Sequence, residues 1–312
     1  MNINKPVKRI LVIKLGAMGD IVQATGPFAA IRSHHLNSHI TLLTTKKYFD
    51  FAKSGKWFDD IWIDERPTWF NLQGWVKLVK RLHNYNFYRV YDLQTSDRTA
   101  IIFYLFCFGK KPEWSGSVFG CSHRHNNPNR NLMHTIERQA EQLAIADIHN
   151  VPTPSFDCIE ESSTNFGLSK PYVLLVPGGS DHRIDKRWPT KNYAQLASRL
   201  VSKNILPVVI GHKPETKLAR YISLICPESK DLTNKTSMID IIALARQAAG
   251  AVGNDTGPMH VISTSGTPSL VIYSHASDPQ MCGQRGNNVS IIRQQSLENL
   301  SVDEVEASLQ LR

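Results

Sequence analysis

Short, wholly apolar runs recur along the chain, separated by stretches with the three-to-four-residue apolar spacing of helices. Strands that are apolar on both faces cannot leave one face in water. They belong in parallel sheets covered by helices on both sides. In the first half, Arg9–Lys14, His39–Thr44, Ile61–Asp64 and Tyr88–Leu93 read as such strands. Ile21–Arg32, Leu72–His83, Thr99–Phe108 and Ile136–Ala146 read as the covering helices. The second half repeats the scheme, with strands at Tyr172–Val176, Leu206–Ile210, Ala251–Gly253, Ser269–Tyr273 and Ser290–Ile292. Its helices are expected at Lys191–Val201, Glu215–Ile225, Met238–Gln247 and Met259–Ser265.

Between the halves lies HNVPTPSFDCIEESSTNFGLSKP, rich in Pro, Ser, Thr and acids, which reads as a linker. A chain of 312 residues is also too long for one ordinary core. The expected organisation is therefore α/β, with two Rossmann-like domains, 1–160 and 161–300, facing each other across a cleft. The amphipathic stretch SVDEVEASLQL falls in a closing segment, 301–312, free to pack back on the first domain. In open parallel sheets ligands sit beyond the carboxyl ends of the strands. The informative residues are those just after each strand.

Several function classes fall away first. The apolar run near the N-terminus is short, is interrupted by Lys14 and precedes no small-residue cleavage site, so it is not a secretory signal. TAIIFYLFCFG, from Thr99 to Gly109, is about half the length that spans a bilayer and reads as a buried helix. Cys107, Cys121, Cys158, Cys226 and Cys282 are scattered and never spaced as CxxC, which fits a reducing cytoplasm rather than a zinc site. His123 and His125 lack a third ligand nearby and read as a basic loop. No metal site and no cofactor are expected. The net charge is +9, from 36 Lys and Arg against 27 Asp and Glu. With no nucleic-acid motif and no basic block, that balance favours anionic substrates, with peripheral contact at the inner face of the cytoplasmic membrane.

Four post-strand loops carry the chemistry. In KLGAMGD the glycines Gly16 and Gly19 are not spaced as a dinucleotide fingerprint. Asp20 is either an N-cap for a helix beginning at Ile21, a general base at the floor of the cleft, or both. In VPGGSDHRIDKRWPT, Gly178, Gly179 and Ser180 offer backbone N–H groups and a hydroxyl beside Lys186, a combination suited to phosphate. WPT then opens a helix with Thr190 as its expected N-cap, and the competing reading makes Trp188 a packing residue and Lys186 a solvated one. In GNDTGPMHVISTSGTP a helix begins near Pro258, so N–H groups around Thr256 and Gly257 would converge on an anion with His260 in the first turn. In DLQTSDRTA, Gln94 and Arg98 are candidates for the acceptor side of the cleft together with Gly19, while Asp97 reads equally well as a helix cap.

The succession RILVIKLGAMGDIVQATGPFAAIR, VLLVPGGS…KRWP and GNDTGPMHVISTSGTP resembles glycosyltransferase family 9, the ADP-heptose:lipopolysaccharide heptosyltransferases and their relatives, with the GT-B fold. The resemblance implies an inverting, metal-independent transfer of a heptose to an inner-core acceptor, Kdo or heptose. The second domain would hold the nucleotide sugar and the first the anionic acceptor, a partner that basic residues such as Arg98, Lys110, Lys111, Arg124 and Arg130 fit. Carried over by position, Asp20 is the general base, and Ser180, Lys186, Thr256 and Gly257 are diphosphate ligands. Glu215 lies near the ribose, Thr236 and Met238 near the adenine, and Asp255 and His260 near the sugar or phosphate. The loop before Lys186 is longer than in those enzymes, which leaves Lys186 better placed than Ser180. Two alternatives stand beside this: a family relative using another nucleotide sugar or acceptor, and a non-catalytic binding protein that keeps the fold.

Overall fold

The computed structural model describes residues 7–68, 70–106, 109–160, 162–168, 171–179 and 184–312. The chain divides into two compact units between Ile159 and Glu160.

The first unit runs β1 (Arg9–Ile13), α1 (Met18–Gln23), α2 (Thr25–His34), β2 (His39–Thr44), α3 (Phe49–Ser54), β3 (Asp60–Ile63), α4 (Leu72–Asn84), β4 (Arg89–Asp92), α5 (Asp97–Leu105), β5 (Glu113–Gly116), β6 (His123–Arg124) and α6 (Thr135–Ala144). Its six strands pair in parallel in the order β3-β2-β1-β4-β5-β6. Four of the five β1 residues and all of β4 are buried, which is why these segments are apolar without alternation. Leu11, Ile13 and Val90 meet the rings of Phe103 and Trp114, which pack edge to face at 5.1 Å.

The helix expected over Ile21–Arg32 is two helices, meeting at Ala24. Pro27 has no N–H to return to Gln23 four residues back, so the first helix stops there and a second starts with proline in its opening turn.

The second unit runs β7 (Tyr172–Val176), α7 (Thr190–Ser202), β8 (Leu206–Val209), α8 (Thr216–Ile225), β9 (Lys230–Asp231), α9 (Met238–Gln247), β10 (Gly250–Asn254), α10 (Gly257–Thr264), β11 (Ser269–Tyr273), α11 (Pro279–Cys282), β12 (Val289–Arg293) and α12 (Val302–Ser308). The parallel order is β12-β11-β10-β7-β8-β9. The closing helix docks on its own unit. Val302 and Val305 enter the core that contains Leu200 of α7, and Glu306 accepts from Arg199 at 2.7 Å and Lys203 at 2.8 Å.

Both sheets have the same device. In the first, the chain winds outward from β1 to β3 and then returns to lay down β4 on the other side of β1. In the second, it winds from β7 to β9 and returns to place β10 beside β7. Loops leaving β1 and β4, and loops leaving β7 and β10, therefore part in opposite directions and open a crevice at each switch point. Among the described residues, no helix is long and apolar enough to cross a membrane.

Candidate active site

The first switch point is built from the loops after β1 and β4. Gly16 has a φ of +131°, and a Cβ there would fall 2.8 Å from the Tyr48 ring, so only glycine lets the loop pass. Asp20 is the third residue of α1, with Ala17 at the cap position, so it is not an N-cap for a helix starting at Ile21. Its Oδ2 accepts the Ala17 N–H at 3.0 Å. That single bond leaves a carboxylate with capacity to take a proton. Leu15 donates its N–H to Gln94 Oε1 at 2.8 Å, which ties the two loops together. Below them Asp92 is buried and its Oδ1 accepts from Gln94 N at 3.1 Å and Thr95 N at 2.8 Å. Burial pushes its carboxyl up to about 6, against the pull of these bonds and of Lys14.

These loops enclose a cavity of about 340 Å³ whose charged lining is Asp20, Lys14, Arg130 and Arg138. Lys14 is buried, donates to the Leu93 carbonyl at 3.0 Å, and is pushed down in pKa by burial while Asp20 works the other way. Arg130 donates to Thr95 Oγ1 at 2.8 Å and to His125 Nδ1 at 3.2 Å, which holds its guanidinium at the mouth. Gln142 braces the floor by donating to the Asp92 carbonyl at 2.9 Å. Three cations around one carboxylate suit an anionic ligand that also presents a proton.

Gln94 lines this cavity, and Gly19 lies in α1 beside Asp20. Arg98 does not line it. It forms a two-pronged pair with the buried Asp64, at 2.7 and 3.1 Å, and stacks over Trp75. Ser96 holds the cap position of α5, and Asp97 is that helix's first residue. Lys14 and Arg138 stand outside the sequence motifs, and Arg130 enters the sequence reading only as one of several basic residues that fit an anionic acceptor. Lys14 reads as an interruption of a strand, and the arginines come from a loop and helix with no post-strand signature.

The second switch point joins the loops after β7 and β10. Asn254 is fully buried and makes four bonds. Its Oδ1 accepts from Trp188 N at 3.0 Å and Tyr193 OH at 3.1 Å, and its Nδ2 donates to the carbonyls of Pro177 and Gly178 at 2.9 and 3.0 Å. Lys186 pairs with Asp255 at 3.2 Å, and Tyr273 donates to the other Asp255 oxygen at 3.0 Å. Burial works to raise the Asp255 carboxyl, but Lys186, the charge of His260 and these bonds hold it below the usual carboxylate range. Lys186 is thus not a solvated residue, and Trp188 is the packing residue of the alternative reading, buried with its indole donating to the Leu300 carbonyl at 2.9 Å. Thr190 is the first residue of α7 rather than its cap, which is Pro189.

Thr256 caps α10 by position without a side-chain bond, and its buried Oγ1 has no hydrogen-bond partner among the described residues. Gly257 opens the helix and His260 lies in its first turn, its N–H donating to the Thr256 carbonyl at 3.3 Å, while helix geometry gives the N–H groups of Gly257 and Met259 no acceptor within the helix. Glu215 accepts the His212 N–H at 2.6 Å, and its stem lies where a Cβ on Gly178 would go, 2.7 Å away. Thr236 precedes the Ser237 cap of α9 and Met238 opens that helix, both half-buried. Ser180 lies outside the described residues. The strand order β10-β7-β8-β9 lays Thr256, Gly178, Glu215 and Thr236 in a row along one sheet edge, spanning about 14 Å at the usual strand spacing. Among the described residues, no group of three His, Cys, Asp or Glu side chains is placed to hold a metal.

Two doubly wound parallel units, each with polar loops gathered at its switch point, are the architecture of the GT-B fold. The chain belongs to glycosyltransferase family 9 (heptosyltransferase), whose sequence profile matches residues 75–310. It is 23% identical over 285 residues to the lipopolysaccharide core heptosyltransferase OpsX of Haemophilus influenzae, covering 86% of this chain and 79% of that one. Among solved structures it is similar to Escherichia coli ADP-heptose lps heptosyltransferase II, with a TM-score of 0.81 and 18% identity over 96% of this chain and 97% of that one. E. coli heptosyltransferase WaaC with ADP superposes with a TM-score of 0.77 at 17% identity, over 96% and 98% of the two chains. At such identities the structural likeness speaks for the fold.

Proposed function

We propose that this glycosyltransferase moves a heptose from ADP-heptose to an anionic sugar of the lipopolysaccharide inner core, Kdo or heptose, with inversion and without a metal. The observation that carries the reading is Asp20 facing a cavity walled by Lys14, Arg130 and Arg138. An acceptor carboxylate or phosphate would sit on the guanidinium groups and bring a hydroxyl to Asp20. Asp20 accepts that proton as the oxygen attacks the anomeric carbon from the face opposite the diphosphate. The bond to the diphosphate breaks with its electron pair on the leaving oxygen. Lys186 and the N–H groups opening α10 meet that charge, a task that fixed donors perform in place of a cation. Lys186 has three N–H donors, so holding Asp255 leaves two for a phosphate. The row from Thr256 to Thr236 suits an extended nucleotide whose diphosphate lies at α10, whose ribose lies near Glu215 and whose base lies near Met238. The likeness to E. coli heptosyltransferase WaaC with ADP and to the lipopolysaccharide core heptosyltransferase of H. influenzae supports the donor and acceptor classes.

The test is Asp20→Asn, which keeps an oxygen for the Ala17 N–H. Turnover should fall by about 10²–10⁴-fold, the usual contribution of a general base, with ADP affinity by calorimetry within twofold. Loss of ADP binding instead would assign this loop to the donor and sink the proposal.

A further inference from the structure

His125, which the sequence places in a basic loop, is a buried residue with two fixed partners. It follows β6 directly, its N–H donates to the Gly116 carbonyl at 2.8 Å, and its side chain has no exposed surface. His123 turns instead to Ser122, with Nδ1 and Oγ 3.0 Å apart. Both ring nitrogens of His125 are engaged. Nδ1 lies 3.2 Å from Arg130 Nε, and Nε2 lies 3.2 Å from Glu141 Oε1. A guanidinium can only donate, so Nδ1 presents its lone pair to Arg130. The proton of the neutral ring is then on Nε2 and goes to Glu141, a tautomer assigned from the two partners.

The same contacts decide where Arg130 can point. Its Nε–H goes to His125, and Nη2 donates to Thr95 Oγ1 at 2.8 Å. Thr95 is itself fixed, its N–H donating to Asp92 Oδ1 at 2.8 Å. Three of the five guanidinium N–H groups remain for a ligand. Glu141 is braced as well. Asn127 Nδ2 donates to the same Oε1 at 2.7 Å, and the Asn129 N–H donates to Asn127 Oδ1 at 2.8 Å. The Asn127 bond outweighs burial and, with the His125 bond, holds the Glu141 carboxyl below the usual carboxylate range.

The charged groups acting on the ring are Glu141 and Arg138 of α6 and Arg130 of the preceding loop. Burial pushes the ring down in pKa, Glu141 works the other way, and the two arginines reinforce burial. A protonated ring would set Nδ1–H against the Arg130 Nε–H, donor against donor. Arg130 would then keep only its Thr95 bond and lose its fixed direction.

We propose that His125 is a positioning residue that aims the Arg130 guanidinium into the Asp20 cavity, so that acceptor affinity depends on the lone pair at Nδ1. This rests on the reading of that cavity as the acceptor site. His125 is not part of the cavity lining and acts only through Arg130.

The experiment compares two replacements of the ring. His125→Asn keeps an oxygen near the place of Nδ1 and cannot titrate. His125→Gln keeps a polar group near the place of Nε2 and takes the acceptor away from Arg130. KM is measured for a Kdo oligosaccharide freed of lipid, with kcat and ADP affinity alongside. His125→Gln should raise KM about threefold to tenfold, the value of one hydrogen bond, with kcat and ADP affinity within twofold. His125→Asn should restore KM at pH about 8. As pH falls toward about 5, KM should rise more in the wild type than in His125→Asn, because effects of Asp20 and Asp92 are common to both. Without donor or acceptor, ring-nitrogen NMR should show the Nε2–H tautomer, and Arg130→Ala should raise the pKa of the ring. An Nδ1–H tautomer would overturn the positioning role. So would a wild-type KM that falls in acid relative to His125→Asn, since the ring would then only add charge. A KM raised by Arg130→Ala but not by His125→Gln would also overturn it, while leaving the reading of the cavity intact. A KM that neither variant moves would sink both.

Discussion

At the switch point of the first sheet, three cations and a carboxylate face a cavity; at that of the second, the charges have already met. Lys186 and Asp255 neutralise each other, and Asn254 spends all its hydrogen-bonding capacity inside the protein. One topology thus supports two electrostatic designs. The first leaves charge for a ligand that arrives with its own anion. The second builds a stiff bracket around helix N–H groups, which need no counter-charge in the absence of an anion. If the comparison is right, damage should follow it: substitutions in the second bracket cost stability, and those in the first cost acceptor recognition.

The largest expected effect on stability is at Asn254. Asn254→Ala strands an N–H, a phenol and two carbonyls in a buried place and should cost about 3–5 kcal/mol by denaturant unfolding. Asn254→Asp should also destabilise, because a carboxylate would face the Pro177 and Gly178 carbonyls. A loss under about 1 kcal/mol for both would mean the bracket is not rigid and the contrast fails.

The two buried acids should respond to pH with opposite sign. Asp92 has its carboxyl raised to about 6, so the folded state holds a proton that the unfolded chain has released. Its contribution should be full below about 4 and fade as pH rises to about 6, by up to about 3 kcal/mol. Asp255 is depressed, so its contribution is present above the ordinary carboxylate pKa and fades as pH falls through the folded value. Thermal unfolding from pH 3 to 8 should show Asp92→Asn flattening the slope between 4 and 6. Asp255→Asn should remove a loss confined to stronger acid. Slopes of the same sign would contradict the two environments described.

Arg130→Ala and Arg138→Ala should each raise KM for an anionic acceptor about 10–100-fold, the value of a charged hydrogen bond, while ADP affinity stays unchanged. Unchanged KM with lost ADP binding would exchange the roles of the two units.

Much of this was legible in the chain and some was not. Continuous apolar runs marked the central strands within a residue or two, because burial on both faces leaves no other composition. β5, β6 and β9 were missed: EWSG, HR and KD are too short and polar to show a period, and the neighbouring strand rather than their own sequence makes them strands. The loops that gather at the second switch point could be seen because strand, Gly-rich turn and helix opening are contiguous. The charged wall of the Asp20 cavity could not, since Lys14, Arg130 and Arg138 meet only when β1, a loop and α6 are folded together, and Arg130 was legible only as one basic residue among several. Arg98 misled for the complementary reason. It follows a strand, but Asp64 from the far side of the sheet claims it.

The smallest effect tests whether the second bracket touches its ligand at all. A Cβ on Gly178 would fall 2.7 Å from Glu215 Cγ and about as close to the carboxyl, which is the movable end of a side chain. Gly178→Ala should therefore cost less than about 1 kcal/mol of stability, because Glu215 can swing aside. If that carboxylate meets the ribose, swinging aside should weaken ADP about threefold to tenfold by calorimetry. Glu215→Ala should weaken it as much, and the double variant no further, because both act through the same carboxylate. Additive losses would mean that Gly178 acts through its own backbone approach to the nucleotide, and that Glu215 only caps the turn at His212.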